Sequence, residues 1–341
     1  MIAGKVCRLL GFVALAGCYA SAVQAQSPAD FYKGKTITLV VSSGEGGGYD
    51  SWARTLSRHL PKHVPGNPQV IVKNMPGAGG IVAGNYLYKV AEKDGTVMGL
   101  LQNGVPFEPL FQNAQATFDS TKFNWIGTPS TETAVLTVWH TAPVNTWQDA
   151  KTTELTMGST GAHSTPSFYG HLQNDLLGTK LKLIVGYTSQ TTAFLAMERG
   201  ELNGYPSVFY SSLKATKPDW IKNKQVKLLL QMGAEKDAAL PDVPWIMDVL
   251  TKPEDRAVAQ AAFGPLLAGR PFLMPPGVPA DRVAAIRKAF DETLKDAEFL
   301  AEAGKARLEV SAPRTGEQLQ QYIAQIYKDT SPAMVARLKQ Y

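Results

Sequence analysis

The sequence predicts a two-lobed α/β protein, each lobe a mainly parallel sheet flanked by helices, with the lobes joined by crossing strands. Three observations carry this. The apolar run Ile37–Val41 leads into the glycine-rich stretch Ser42–Asp50, and Trp52, Leu56 and Leu60 then recur at every fourth position: strand, turn, helix. The same order follows at once, with Val70–Asn74 strand-like, Pro76-Gly77-Ala78-Gly79-Gly80 the turn and Ile81–Glu92 the helix, and the strand Thr96–Leu101 completes a βαβαβ unit. After the long apolar strand Ala134–Trp139 the alternation resumes around a third small polar loop, Gly158–Thr165, which predicts a second lobe.

Taken in order, the chain opens on an export signal. Lys5 and Arg8 supply its charge, Leu9–Ala16 its apolar core, and Val23-Gln24-Ala25 a small-residue cleavage site before Gln26. The apolar run is too short to span a bilayer. A second reading competes: Leu15-Ala16-Gly17-Cys18 matches a lipoprotein cleavage box, which would leave Cys18 lipidated. Either route exports the protein, so it is expected in the periplasm. Residues 1–25 are the signal, 26–133 with 235–341 the first lobe, and 134–234 the second.

In the first lobe the two strand–turn–helix units precede Pro106 and Pro109, which break regular structure, and Phe123–Gly127 reads as a short strand. Ala134–Trp139 crosses to the second lobe and Ala142-Pro143 closes it. Trp147–Lys151 starts a helix, Leu155–Met157 is a strand, and a helix runs from about Pro166 to Leu177. Lys180–Val185 is a strand ending in Gly186–Gln190, Thr191–Arg199 is helical with Gly200 as its C-cap, and Leu202–Pro206 continues into a short strand. Val226–Gln231 is a strand leading back to the first lobe. Asp281–Asp296 places Val283, Ile286, Phe290 and Leu294 on one helix face. Thr315 and Gln318 form a capping box for the next helix, and Ser331-Pro332 starts the last.

The two glycine-rich turns carry the functional expectation. The first turn of a helix has N–H groups without partners and a partial positive charge, so it favours an anion, and glycine lets a ligand approach the backbone closely. Neighbouring parallel strands would bring both helix starts to one sheet edge, where α/β proteins bind ligands. Ser43, Gly46, Gly47, Gly48 and Tyr49 of the first turn and Gly77, Ala78, Gly79 and Gly80 of the second are the expected binding residues. Asp50 would repel an anion that it faced, so it is expected to cap and support the loop. Trp52, by its spacing, belongs to the core.

Composition fits capture of a small solute. The 341 residues are 44% hydrophobic and 18% charged, as in a globular protein. Loss of the signal, with Lys5 and Arg8 and no acids, lowers the net charge of +5 by two, to +3. There is no basic stripe for nucleic acid. The only cysteines, Cys7 and Cys18, lie in the signal, so a chain starting at Gln26 has no disulfide, cysteine nucleophile or thiolate metal site. No GxGxxG, P-loop or GxSxG pattern is present. Ser211–Lys214 spells SxxK but has no companion KTG. His59 and His63 are four apart, yet Pro61 lies between them, so they read as a solvated basic helix end instead of a metal site. His163, in the third loop, either bonds its own loop or touches ligand. No cofactor is expected.

Lys35–Val41, Gly46-Gly47-Gly48-Tyr49-Asp50, Ala53-Arg54 and Asn74-Met75-Pro76-Gly77-Ala78-Gly79-Gly80 resemble the Bug-type receptors, the periplasmic solute-binding components of tripartite tricarboxylate transporters. The likeness extends through Gly158-Ser159 with Gly161, Gly186-Tyr187, Leu240–Pro244 and Pro275–Pro279. It implies a periplasmic-binding-protein, or Venus flytrap, fold that closes by hinge motion on a small organic acid: a di- or tricarboxylate, an acidic amino acid or an aromatic acid. One carboxylate would be held by the first two loops, partly through water. Ser159, Thr160, His163, Ser164, Tyr187 and Thr188 of the opposite lobe would select the solute. The implied protein is a monomer that works with membrane transporter subunits and performs no catalysis. The alternatives are a ligand-sensing partner of a membrane sensor kinase and an exported hydrolase. The chain departs from the family in Ser42-Ser43-Gly44-Glu45 ahead of the glycines, in Tyr49 where Thr is usual, and in Asn203 where an Asp is common. Asn203 is assigned a supporting role, and its lack of charge disfavours a ligand amine if the position lines the cleft.

Overall fold

The computed structural model describes residues 26–46, 48–161, 164–187 and 190–341. The signal with Cys18, and Gly47, His163 and Thr188 among the expected binding residues, lie outside the described residues. After α1 (Pro28–Tyr32) the chain forms β1 (Thr36–Val41), α2 (Gly48–His59), β2 (Gln69–Asn74), α3 (Ile81–Lys89), β3 (Val97–Leu100) and β4 (Asn124–Thr128). It continues through β5 (Ala134–Trp139), β6 (Leu155–Gly158), α4 (Thr165–Leu177), β7 (Leu181–Ile184), α5 (Gln190–Glu198), β8 (Gly204–Phe209), α6 (Tyr210–Thr216), α7 (Pro218–Lys222) and β9 (Val226–Met232). The last part comprises α8 (Ile246–Val249), α9 (Pro253–Ala268), β10 (Phe272–Met274), α10 (Ala280–Thr293), α11 (Ala297–Lys305), β11 (Arg314–Thr315), α12 (Gly316–Asp329) and α13 (Pro332–Leu338).

Two mixed sheets result. The first has six strands in the order β11-β4-β10-β3-β1-β2, with β1 parallel to β2 and β3, and β10 antiparallel to both β3 and β4. The second has five in the order β7-β6-β8-β5-β9, with β6 parallel to β7 and β8, and β5 antiparallel to β8 and β9. Each is covered on both faces, as the alternation of side chains along a strand requires. Ile37, Leu39 and Val41 pack with Trp52, Leu56 and Phe290 on one side of β1, whereas Val40 packs with Ile81, Leu87 and Leu319 on the other. In β5, Ala134, Leu136 and Val138 face Leu172, Leu176 and Phe263, and Val135 and Trp139 face Phe194 and Trp220.

The path between the lobes departs from the expected one in two respects. The strand Val226–Met232 does not return the chain to the first lobe: it pairs antiparallel with β5, and Ile246, Met247, Leu250, Val258 and Phe263 from α8 and α9 join the core of the second sheet. An apolar strand and an apolar helix with nothing but their own periodicity do not say which sheet they cover. The return comes after α9, where Ala268 enters the first-lobe core just ahead of β10. Two crossings are therefore Pro129–Thr133 and Gly269–Pro271, and they touch; the chain crosses once more after α12, since Leu338 of α13 lies in the core of the second sheet and Arg337 pairs with Asp255 of α9. Gly269 has φ +54°, and a Cβ placed there would lie 1.7 Å from the Ser130 carbonyl oxygen. The helix expected over Asp281–Asp296 is α10, which ends at Thr293, and the Asp296 carboxylate then accepts from the N–H groups of Glu298 and Phe299 to start a further helix, α11.

Candidate functional site

The register of β1 against β2 pairs Val41 with Asn74, so the two glycine-rich turns leave adjacent strands side by side. Asn74 links them. Its side-chain amide donates to the Ser43 carbonyl at 3.0 Å and to Asp50 Oδ1 at 2.9 Å, while Arg54 Nη2 donates to Asn74 Oδ1 at 3.1 Å. Asp50 is buried and accepts two more hydrogen bonds, from the Gly46 N–H and from Arg54 Nε, both at 2.9 Å. Burial alone would raise this carboxyl. The hydrogen bonds from Arg54, Gly46 and Asn74, with the Arg54 charge, outweigh it and bring it down from 3.8 to about 2. The acid at the start of α2 is thus turned away from the cleft and used to shape the loop.

The second turn is built from consecutive left-handed residues: Gly77 (φ +138°), Ala78 (+45°), Gly79 (+65°) and Gly80 (+104°). Only glycine adopts most of these without strain, and Ala78 stands among them as the one residue with a Cβ. Gly80 donates to the Gly77 carbonyl at 2.8 Å, and a Cβ at Gly80 would lie 3.1 Å from Ser42 Oγ, which ties this turn against the first. Two of the expected ligand-facing amides are accordingly committed to the protein, Gly46 to Asp50 and Gly80 to Gly77. Gly48, Gly77, Ala78 and Gly79 are exposed, and among the described residues none outside the helix accepts from the Gly48 N–H.

Tyr49 packs against the first-lobe core and reaches the end of β3 and the second crossing. Its hydroxyl accepts from the Asn103 N–H at 2.9 Å and donates to the Gly269 carbonyl at 3.4 Å, and burial pushes its pKa up. The Arg270 guanidinium lies over the ring, 4.5 Å from its centroid. Arg270 in turn pairs with Glu132 at 3.2 Å, and Glu132 Oε2 accepts from Ser211 at 2.5 Å. Arg270, Glu132 and Ser211 line a groove of about 220 Å³ in which Gly46, Gly48 and Ser51 of the first lobe stand opposite Ser211, Ser212 and Thr216 of the second. A further cavity of about 190 Å³ sets Asn103 and Gly104 against Thr165 and Phe168. Arg270, Glu132 and Asn103 had no signal in the sequence, and Ser211 stood out only as the start of SxxK: Arg270 and Glu132 lie outside any motif and 138 positions apart, and only the touching crossings bring them together.

Among the described residues, Ser159, Thr160, Ser164 and Tyr187, expected to select the solute, do not line either of these spaces. Ser159 is fully buried. Its hydroxyl meets Ser164 Oγ at 2.9 Å and Ser167 Oγ at 2.7 Å, and the hydroxyls of Ser164 and Ser167 both donate to the Gly161 carbonyl at 2.7 Å. Ser159 and Ser164 thus shape the third loop from within. Thr160 and Tyr187 are half-buried at the carboxyl ends of β6 and β7, with Tyr187 donating its N–H to the Ser159 carbonyl. Asn203 Oδ1 accepts from both the N–H and the hydroxyl of Thr156 at 2.9 Å, inside the sheet. It therefore says nothing about a ligand amine.

Ser211 and Lys214 do not form a nucleophile–base pair, since Ser211 is bonded to Glu132 and Lys214 to Glu309 across the lobes. The basic end of α2 is not solvated as expected. His59 meets Glu302 at 2.7 Å and His63 meets Asp296 at 3.2 Å. His59, Asp296 and Glu298 are close enough to share a cation, and the Lys62 ammonium already bridges the two acids at 2.8 and 2.7 Å. Among the described residues no helix is long and apolar enough to cross a membrane.

Known proteins share this architecture. The chain is 27% identical over 70% of its length, and 73% of the relative's, to the UPF0065 protein in the gbd 5′ region of Cupriavidus necator. Its fold matches a TctC solute-binding protein from Polaromonas with a TM-score of 0.69 at 19% identity, covering 91% of this chain and all of that one. It also matches MatC from Rhodopseudomonas palustris, solved with bound malate, with a TM-score of 0.58 at 18% identity over 90% and 98% of the two chains. The profile of the tripartite tricarboxylate transporter family receptor matches residues 53–337, nearly the whole of the two lobes, and the chain belongs to that family.

Proposed function

We propose that the protein captures a small carboxylate-bearing solute in the periplasm and presents it to the membrane subunits of a tripartite tricarboxylate-type transporter, without catalysis. The observation that carries this reading is the pairing of the two glycine-rich turns at one sheet edge, with the backbone of Gly48, Gly77, Ala78 and Gly79 exposed there and the acid of the first helical turn, Asp50, drawn inward. An anion placed there meets backbone N–H groups and a helix start instead of a carboxylate. Malate bound to MatC supports the solute class. Lipidation through Cys18 and a monomeric state belong to the same reading.

Native mass spectrometry of freshly exported protein should reveal a co-purified organic acid. Calorimetric titration with malate, adipate, citrate and benzoate should then show saturable one-to-one binding of at least one acid. Turnover of a bound ester or amide, or the absence of binding by any acid, would overturn the proposal.

A further inference from the structure

The groove between Gly48 and Ser211 contains a charge that backbone capture of an anion does not need. Arg270 is only 8% exposed, yet its guanidinium is incompletely satisfied. One nitrogen, Nη2, faces Glu132 at 3.2 Å, and Nε is buried with no acceptor. Nη1 is the atom nearest to the space over Gly48, 3.4 Å from a Cβ placed on that glycine. Buried guanidinium groups normally have their donors met, because each unmet one keeps its desolvation cost. Glu132 cannot meet them all, since its other oxygen is taken by Ser211.

We infer that Arg270 is the side chain that anchors a carboxylate of the solute, on its Nη1 edge, in the groove between the start of α2 and the start of α6. The inference rests on the carboxylate-binding reading and deepens it by naming the cation. Three features support it. The Tyr49 ring lies beneath the guanidinium and fixes its plane, and Tyr49 is itself pinned by Asn103 and Gly269. Gly48 leaves the approach to Nη1 open, and it begins a twelve-residue helix whose first-turn N–H groups add to the attraction. Ser211 and Ser212 of the opposite lobe line the same groove, so a solute held by Arg270 touches both lobes. Glu132 offsets the guanidinium charge while the groove is empty and repels an incoming anion, so it sets the affinity below what the bare cation would give.

The test is calorimetric titration of wild type, Glu132→Gln, Arg270→Lys and the Arg270→Met/Glu132→Gln double variant with succinate, malate, adipate, citrate and benzoate, with circular dichroism as the check on folding. The double variant avoids leaving Glu132 buried without its partner. Expected are a loss of at least about tenfold for the bound acid in the double variant and in Arg270→Lys, which keeps the charge but not the planar fork, and unchanged or tighter binding in Glu132→Gln. Affinity within threefold of wild type in either Arg270 variant would overturn the assignment while leaving carboxylate capture standing. A Glu132→Gln loss as large as that of the double variant would reduce the pair to a strut and overturn it equally. If no acid binds the wild type, the carboxylate reading falls and this inference with it.

Discussion

Asn74, the last residue of β2, donates from one side-chain nitrogen to both the Asp50 carboxylate and the Ser43 carbonyl, and so fixes the first glycine-rich loop from the neighbouring strand. Replacing Asn74 by Ala removes both bonds and leaves a buried carboxylate with one donor fewer. A loss of about 1–2 kcal/mol in stability is expected, read by urea denaturation, together with weaker solute binding. Unchanged stability would show that the loop is held by other means.

The same carboxylate gives a pH dependence with a definite sign. Its folded pKa, about 2, lies below the ordinary 3.8. The stabilisation is therefore fully present above about pH 4 and is lost as pH falls towards 2, amounting to about 2 kcal/mol. Denaturation midpoints measured from pH 6 to pH 2 should fall more steeply in wild type than in Asp50→Asn. Parallel curves would contradict the assignment.

Gly79 has φ +65° and open space around it, so a side chain there meets backbone strain and no collision. Gly79→Val should cost about 1–2 kcal/mol in stability while abolishing binding of the solute by reshaping the turn. Gly77→Val adds a clash, because its Cβ would stand 2.9 Å from Val82 Cγ2. Solute affinity equal to wild type in both variants would remove the second turn from the site.

Gly269 is the point at which the two crossings touch. With φ +54° and the Ser130 carbonyl in the path of any Cβ, Gly269→Ala must push the crossings apart. A destabilisation on the order of 3 kcal/mol is expected, seen as a large fall in melting temperature. A melting temperature within two degrees of wild type, taken as roughly the shift from a sub-kcal/mol change, would refute it.

Tyr49 joins the loop, the β3 end and the second crossing through one hydroxyl. Tyr49→Phe leaves the Asn103 N–H and the Gly269 carbonyl without that partner and should cost about 1–2 kcal/mol by chemical denaturation. Because the ring that supports Arg270 remains, solute affinity should fall less than in Arg270→Lys. The reverse order would mean that the hydroxyl, not the guanidinium, holds the solute.

The sequence by itself determined the local architecture. Apolar runs bounded by turns placed β1, β2 and β3, the fourfold recurrence of Trp52, Leu56 and Leu60 placed α2, and the glycines of 77–80 announced a turn that side chains would strain. The position of Asp50 at a helix start suggested a helix cap, but its carboxylate accepts instead from Gly46, Arg54 and Asn74. The tertiary structure alone decided which sheet β9, α8 and α9 would cover, because an apolar face fits any apolar partner. It also spent the amides of Gly46 and Gly80 within the protein and turned the hydroxyls of Ser159 and Ser164 towards their own loop. Above all it assembled Tyr49, Glu132, Ser211 and Arg270, which come from four separate segments. Their meeting depends on how two crossings pack, and no spacing along the chain encodes a contact made by packing.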